Sequence, residues 1–213
     1  MKVGILGTGD VGRALGKGFA AVGYDVQMGG RDASNPKAAA WAAEIGSKAS
    51  VGTFADAAGF GELVVLATLG VANERVLAMA GPKAFRGKVV IDATNPLDFT
   101  ADLPRLAVSG EDSAGERVQR ALPDAYVVKA FNTVGNALMF RPELPGGPPD
   151  MFICGESQAA KNQVTDVLTR FGWGTVDVGG IEASRYLEAM CMVWVLSAMR
   201  VGTWNQAFKL LRA

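Results

Sequence analysis

The sequence predicts an α/β protein: a doubly wound, mostly parallel sheet with a C-terminal extension that ends in an apolar helix. Three observations predict it. Short apolar runs alternate with segments of helical period along the first 140 residues. One run, Leu63-Val64-Val65-Leu66-Ala67, is apolar without alternation, the pattern of a strand covered on both faces. The first strand, Lys2-Val3-Gly4-Ile5-Leu6, runs straight into Gly7-Thr8-Gly9-Asp10-Val11-Gly12, after which Val11, Ala14, Leu15, Gly18 and Val22 share one helical face.

In that context the glycines read as the dinucleotide fingerprint of a Rossmann-type fold. Gly7 permits a tight turn, Gly9 lets the backbone approach a pyrophosphate, and Gly12 lets the helix pack on the sheet. The helix N-terminus then points at the phosphates. The second strand, Tyr24 to Met28, ends at Gly29-Gly30-Arg31-Asp32, where NAD-binding chains place the carboxylate that bonds the ribose 2′-hydroxyl. No Asp or Glu stands at the strand tip itself. Arg31 offers a planar cation suited to a phosphate, so the pattern predicts NADP(H) rather than NAD. Ser34, Asn35 and Lys37 follow with a hydroxyl, an amide and a second positive charge. The alternative is that Arg31 is a solvated loop residue and Asp32 takes the ribose.

The remaining elements follow in order. A helix from Asn35 to Ile45 carries Pro36 in its first turn, where proline is tolerated. Ala49-Ser50-Val51 forms a short strand, and Phe54 to Gly59 a small helix before the apolar run at 63–67. Thr68, Leu69 and Gly70 then lie at the carboxyl end of that strand, the edge that faces the ligand crevice in open α/β sheets. Two further strands end on the same edge: Lys88 to Asp92, followed by Ala93-Thr94-Asn95-Pro96, and Ala125 to Lys129, followed by Ala130-Phe131-Asn132-Thr133. The amides of Asn95 and Asn132 can orient a carboxamide or a ring carbonyl; turn and capping roles are the bland alternative. Asp92 and Lys129 end otherwise apolar strands. Buried in a crevice either is a proton source; otherwise the lysine snorkels to water and the aspartate caps a helix.

The Pro- and Gly-rich stretch from Arg141 to Asp150 marks a boundary between a nucleotide-binding part, 1–140, and an extension, 141–213, packed on the same sheet. The extension reads as a strand at Met151 to Cys154, a helix from Ser157 to Phe171, a strand at Thr175 to Val178 and a last helix from Ile181. From Ala189 to Met199 that helix has only Ser197 as a polar residue, which is too short an apolar run to cross a bilayer. It is expected to be covered by the body of the protein, a second subunit, or both, giving a homodimer through this helix; a flat ligand could also rest on it.

Composition narrows the chemistry. In 213 residues Lys+Arg and Asp+Glu both number 21, and no basic run points to nucleic acid or an anionic membrane. No basic leader precedes the first strand, so the expected compartment is the cytoplasm. Cys154 and Cys191 lie in apolar stretches without metal-binding spacing and read as core thiols, and no metal site is expected. There is no histidine, which excludes imidazole-dependent triads. Hydride transfer from a nicotinamide to a small-molecule redox acceptor held face to face survives that exclusion.

Several stretches together, Gly7 to Gly12, Gly29-Gly30-Arg31, Asp92 to Leu97, Val127 to Thr133 and Ala183 to Glu188, resemble the coenzyme F420-dependent NADP oxidoreductase family, over nearly the whole chain. The resemblance extends to the cytoplasmic domains of membrane ferric reductases. It implies an enzyme that passes hydride between NADPH and a deazaflavin or flavin. It also implies that Thr8, Gly9, Asp10 and Val11 contact the pyrophosphate, Gly30 and Arg31 the 2′-phosphate, and Leu69, Gly70 and Ala130 the nicotinamide half. Asp10 stands where the family pattern is neutral and Gly30 where it has Ser, so a like charge faces the phosphates and one hydroxyl is lost. The acceptor pocket has no motif that matches residue by residue. Reduction of an imine or carbonyl with Lys129 or Asp92 as proton donor, and a non-catalytic NADP(H) sensor, stand as alternatives.

Overall fold

The computed structural model describes all 213 residues. Strands β1 (Lys2–Leu6), β2 (Asp25–Gly30), β3 (Ala49–Thr53), β4 (Leu63–Leu66) and β5 (Val89–Asp92) alternate with helices α1 (Asp10–Ala21), α2 (Pro36–Ile45), α3 (Phe54–Phe60) and α4 (Asn73–Ala80). A short antiparallel pair, β6 (Leu97–Asp98) and β7 (Arg105–Leu106), precedes α5 (Ala114–Ala121) and β8 (Tyr126–Lys129). Then come β9 (Asp150–Ile153), α6 (Gln158–Arg170), β10 (Gly174–Asp177) and α7 (Ser184–Val201). Six strands form one parallel sheet in the order β3-β2-β1-β4-β5-β8. Strand order reverses between β1 and β4, the switch point at which such sheets open a crevice.

Both faces are covered, which is why β4 is apolar throughout. Leu63 and Val65 pack with Leu15, Phe19, Trp41 and Val164 on the α1, α2 and α6 side. Val64 and Leu66 pack with Phe54, Leu77 and Val118 on the α3, α4 and α5 side. β9 and β10 pair in parallel with each other around α6 and reach the main sheet through one antiparallel bridge, Lys129 to Cys154. Met151, Ile153, Leu168 and Phe171 belong to the same core as α1. At its centre Phe171 meets Phe19, Phe140 and Phe131 with ring centroids 5.0, 5.1 and 5.9 Å away.

Beyond α7 the chain turns back without regular structure: Asp150 N–H donates to Phe208 O at 2.9 Å, and Trp204 packs on Trp194. No helix is long and apolar enough to cross a membrane. Both cysteines are buried and unpaired, as the sequence predicts.

Phe171→Ala should leave a void that these rings cannot fill. Chemical denaturation is expected to show a loss of about 3–5 kcal/mol without change in the shape of the transition.

Candidate functional site

Because the six strands run parallel, the turns after β1, β2, β4, β5 and β8 all lie along one edge of the sheet. The turn after β1 has the form a dinucleotide needs. Gly7 has φ +134°, and a Cβ there would lie 2.3 Å from Ala67 O; a Cβ at Gly12 would lie 2.2 Å from Gly7 O. Above Gly9, which precedes α1, a Cβ would meet nothing within 4 Å. The first turn of α1 therefore opens its N–H groups onto free space, as a bound pyrophosphate requires. Asp10 does not confront that space as a bare charge, because it forms an ion pair with Arg13 one turn on. The guanidinium offsets the departure from the family pattern.

At the tip of β2, a Cβ on Gly30 would sit 3.2 Å from Asp32 O and 3.3 Å from Thr8 Cγ2, so a side chain there would crowd the phosphate turn. Arg31, Ser34 and Lys37 are exposed around it. Asn35 has another duty: its Oδ1 caps α2 by accepting from the N–H groups of Lys37 (3.0 Å) and Ala38 (3.2 Å). One oxygen of Asp32 accepts from Ser34 N–H at 2.8 Å, and this bond holds its carboxyl below the usual range. Asp32 is thus ionised and partly committed, a poor neighbour for a 2′-phosphate but one turned toward its own loop.

The other half of the edge is held by a buried polar chain. Lys129 Nζ, with no exposed surface, lies 2.8 Å from Asp92 Oδ2, 3.1 Å from Glu188 Oε1 and 2.9 Å from Thr94 O. Burial works against this ammonium, but the two carboxylates reverse the effect and hold its pKa well above the usual lysine value. Lys129 therefore does not snorkel and does not release a proton readily. Asp92 Oδ1 accepts from Thr94 N–H and Oγ1–H, Thr94 Oγ1 accepts from Asn73 Nδ2 at 2.7 Å, and Asn73 Oδ1 accepts from Thr68 Oγ1 at 3.1 Å. The chain runs beneath the crevice from α7 to the loop after β4.

Asn95 and Asn132 come together as the sequence suggests, but toward each other. Asn95 Nδ2 donates to Asn132 O at 2.7 Å, while Asn132 Nδ2 donates to Asn95 Oδ1 at 3.0 Å and to Leu187 O at 2.9 Å. Buried Asn132 Oδ1 has no partner within the chain. Phe131, at φ 62°, makes the sharp turn that places Asn132, a strained conformation for a bulky residue and a mark of functional sites. Leu69 is 76% exposed beside them, and a Cβ on Gly70 would lie 2.3 Å from Asn95 O, so the loops after β4 and β5 touch. Ala130, between Lys129 and Phe131, is fully buried.

Glu188 is the residue that reading the sequence for chemistry misses. It lies on α7, its two carboxylate oxygens accept from Ala114 and Gly115 N–H at the start of α5 (3.1 and 3.0 Å), and it is 1% exposed. Ser113 and Ser184 hydroxyls meet at 2.6 Å beside it, and Arg185 pairs with Glu116. It ends the stretch Ala183 to Glu188 that carries part of the family resemblance, on a helix face where Ser184 is the other buried polar residue, and no spacing rule ties it to Lys129.

Residues 2–96 match the family described as NADP oxidoreductase, coenzyme F420-dependent. An F420-dependent NADP reductase of Methanothermobacter thermautotrophicus is 30% identical over 199 residues, 88% of this chain and 85% of the relative. Metalloreductase STEAP3 of Rattus norvegicus is 30% identical over 190 residues, 89% of this chain, and the chain spans 36% of that protein's length. A crystal structure from Arthrobacter sp. FB24, provisionally assigned as an F420-dependent NADP reductase, superposes with a TM-score of 0.94 at 37% identity, each chain covered completely.

Burial pushes the thiols of Cys154 and Cys191 from 9.0 up to about 12. A raised acid pKa leaves stability intact below the unfolded value and removes it as pH rises toward the folded one. Unfolding free energy is expected to fall from about pH 9 upward, by up to about 1.4 kcal/mol per pH unit for each thiol. Cys154→Ala/Cys191→Ala should flatten this slope between pH 9 and 10, measured by urea unfolding across the series.

Proposed function

Since the chain belongs to the coenzyme F420-dependent NADP oxidoreductase family, we propose that it passes a hydride between NADPH and a planar redox acceptor, a deazaflavin or a flavin. As a member it is an NADP-dependent oxidoreductase. The observation that carries the cofactor is the pairing of two features on one edge: a helix N-terminus open above Gly9, and an exposed Arg31 at a strand tip that bears no carboxylate.

The first turn of α1, with Thr8, Gly9, Asp10 and Val11, holds the pyrophosphate through backbone N–H groups. Arg31, supported by Ser34 and Lys37 around Gly30, takes the 2′-phosphate. Thr68, Leu69 and Gly70 bound the nicotinamide half, and Ala130, itself buried, supports it from below. The Asn95–Asn132 latch fixes the loops on either side of it. When bound, the nicotinamide supplies the hydride; the protein supplies position. The buried Lys129 pair does not favour the imine or carbonyl alternative, because an ammonium held this tightly is a weak acid at neutral pH.

The outer face of α7 leaves Tyr186, Val193, Leu196 and Met199 exposed. Beside it an open apolar groove of about 400 Å³ between α7 and the β9–β10 pair is lined by Phe152, Val178, Leu187 and Met190. A second copy of the chain is the occupant we propose, giving a homodimer through this helix. Sedimentation should give a dimer for the parent chain and a monomer for Val193→Glu; a parent that sediments as a monomer at micromolar concentration removes this proposal.

Stopped-flow mixing with NADPH and, in turn, a deazaflavin, FMN, FAD and a ferric chelate tests the reaction. Rapid loss of nicotinamide absorbance with a deazaflavin or flavin is expected. Arg31→Ala should weaken NADPH binding about tenfold or more and leave NADH unaffected, the loss of charge-assisted bonds to one phosphate. Tight NADPH binding without oxidation by any acceptor would point to the imine or carbonyl reductase or to the sensor instead.

A further inference from the structure

We propose that the buried cluster of Asp92, Lys129 and Glu188 makes the nucleotide site prefer the oxidised, cationic nicotinamide, with Glu188 as a determinant of that preference although its polar partners, Ala114, Gly115 and Lys129, are none of the nucleotide-binding residues named above. The inference rests on NADP(H) binding at the edge described.

The cluster holds one ammonium and two carboxylates, all three side chains at most 1% exposed. Every hydrogen-bonding group that meets the two carboxylates is a donor: Thr94 N–H and Oγ1–H with Lys129 on Asp92, and Ala114 N–H, Gly115 N–H and Lys129 on Glu188. One negative charge is therefore left over inside the protein. The start of α5 offsets part of it through its dipole. The neighbouring Glu116–Arg185 pair carries no net charge, and the nearby thiols of Cys154 and Cys191 are neutral at ordinary pH.

The position of this charge gives it a consequence. Asp92 and Lys129 are the last residues of adjacent strands, so the cluster lies beneath the turns at Thr94, Asn95 and Ala130, on the half of the edge assigned above to the nicotinamide. The nicotinamide ring is neutral in NADPH and singly positive in NADP+. A fixed negative charge in a medium of low dielectric attracts the second form and is indifferent to the first. The phosphates are identical in both, so their repulsion cancels in the ratio of the two affinities. Sealed from solvent, the charge is also poorly screened by salt. In the direction that oxidises NADPH, the same attraction grows as positive charge develops on the ring.

Dissociation constants of NADP+ and NADPH, read from quenching of tryptophan fluorescence, test this in the parent chain, Glu188→Gln and Asp92→Asn, with thermal melts confirming that each is folded. Either variant brings the cluster to neutrality, so if one does not fold the other carries the test. The expected result is a rise of about five- to tenfold in the ratio of the NADP+ to the NADPH dissociation constant. The change should fall on NADP+ and persist at about 0.5 M salt, where a Debye length of roughly 4 Å screens charges at the surface. Asp124→Asn, which also removes a carboxylate but at an exposed pair with Arg86, should leave the ratio within about twofold. A ratio that does not move, or two constants that rise together, overturns the inference while leaving the cofactor assignment in place. A parent chain that binds neither nucleotide overturns both.

Discussion

The ammonium of Lys129, closed in between Asp92 and Glu188, is the interaction on which the crevice depends. Removing charges from water is costly, and such a cluster persists only where every lone pair and proton finds a partner. Here the partners are structural elements. Asp92 ends β5, Lys129 ends β8, Glu188 belongs to α7, and the two N–H groups that complete Glu188 open α5. One satisfied cluster thus fixes the ends of two strands, the approach of the last helix and the start of a fourth element. Without it neither the turn at Thr94 nor the one at Ala130 has a fixed position.

Around that anchor the edge is built in two halves of different character. On the β1–β2 side the determinants are backbone geometry and open space: the left-handed Gly7, the room above Gly9, the bare tip of β2. On the β4–β5–β8 side they are side-chain bonds: the relay from Thr68 through Asn73 and Thr94, and the reciprocal amides of Asn95 and Asn132. The division suits the two loads. Phosphates are met by N–H groups that any sequence supplies once the turn is right, whereas a flat ring must be registered against neighbours that do not move. The left-handed Phe131 is part of that cost, since it is what turns Asn132 back toward Asn95.

How much of this was legible in the sequence follows from the same division. Features set by local pattern read directly: β1 and its glycine turn, the apolar β4, the α6 face, the core thiols. α4 and α5 are eight residues each, and α5 has little apolar surface of its own, so neither carries the long apolar stripe that marks a core helix. The β6–β7 pair is two residues long on each side and held by the long-range docking of Leu97 against Cys191 and Trp194. In the site, Asp92 and Lys129 stood out as charges ending apolar strands, yet their partner did not. Glu188 is 59 positions from Lys129 in the chain, and only the tertiary fold brings them together. The two asparagines were found by residue type, while their mutual bonding depends on loops from different strands meeting.

The electrostatics of this edge also bear on the proposed acceptor. A reduction that must deliver a proton along with the hydride needs an acid poised near neutral pH, within reach of the substrate. The buried ionisable groups beneath this edge are of another sort. Lys129 holds its proton well above the usual lysine value, and the two thiols release theirs only near pH 12. The oxygens of Asp92 and Glu188 are already taken up by donors of the chain itself. With no histidine in the chain, the environment suits an acceptor ring that takes hydride onto carbon or nitrogen and settles its proton balance with solvent. A deazaflavin or a flavin has that property. A simple carbonyl, which leaves an alkoxide where the hydride arrives, does not.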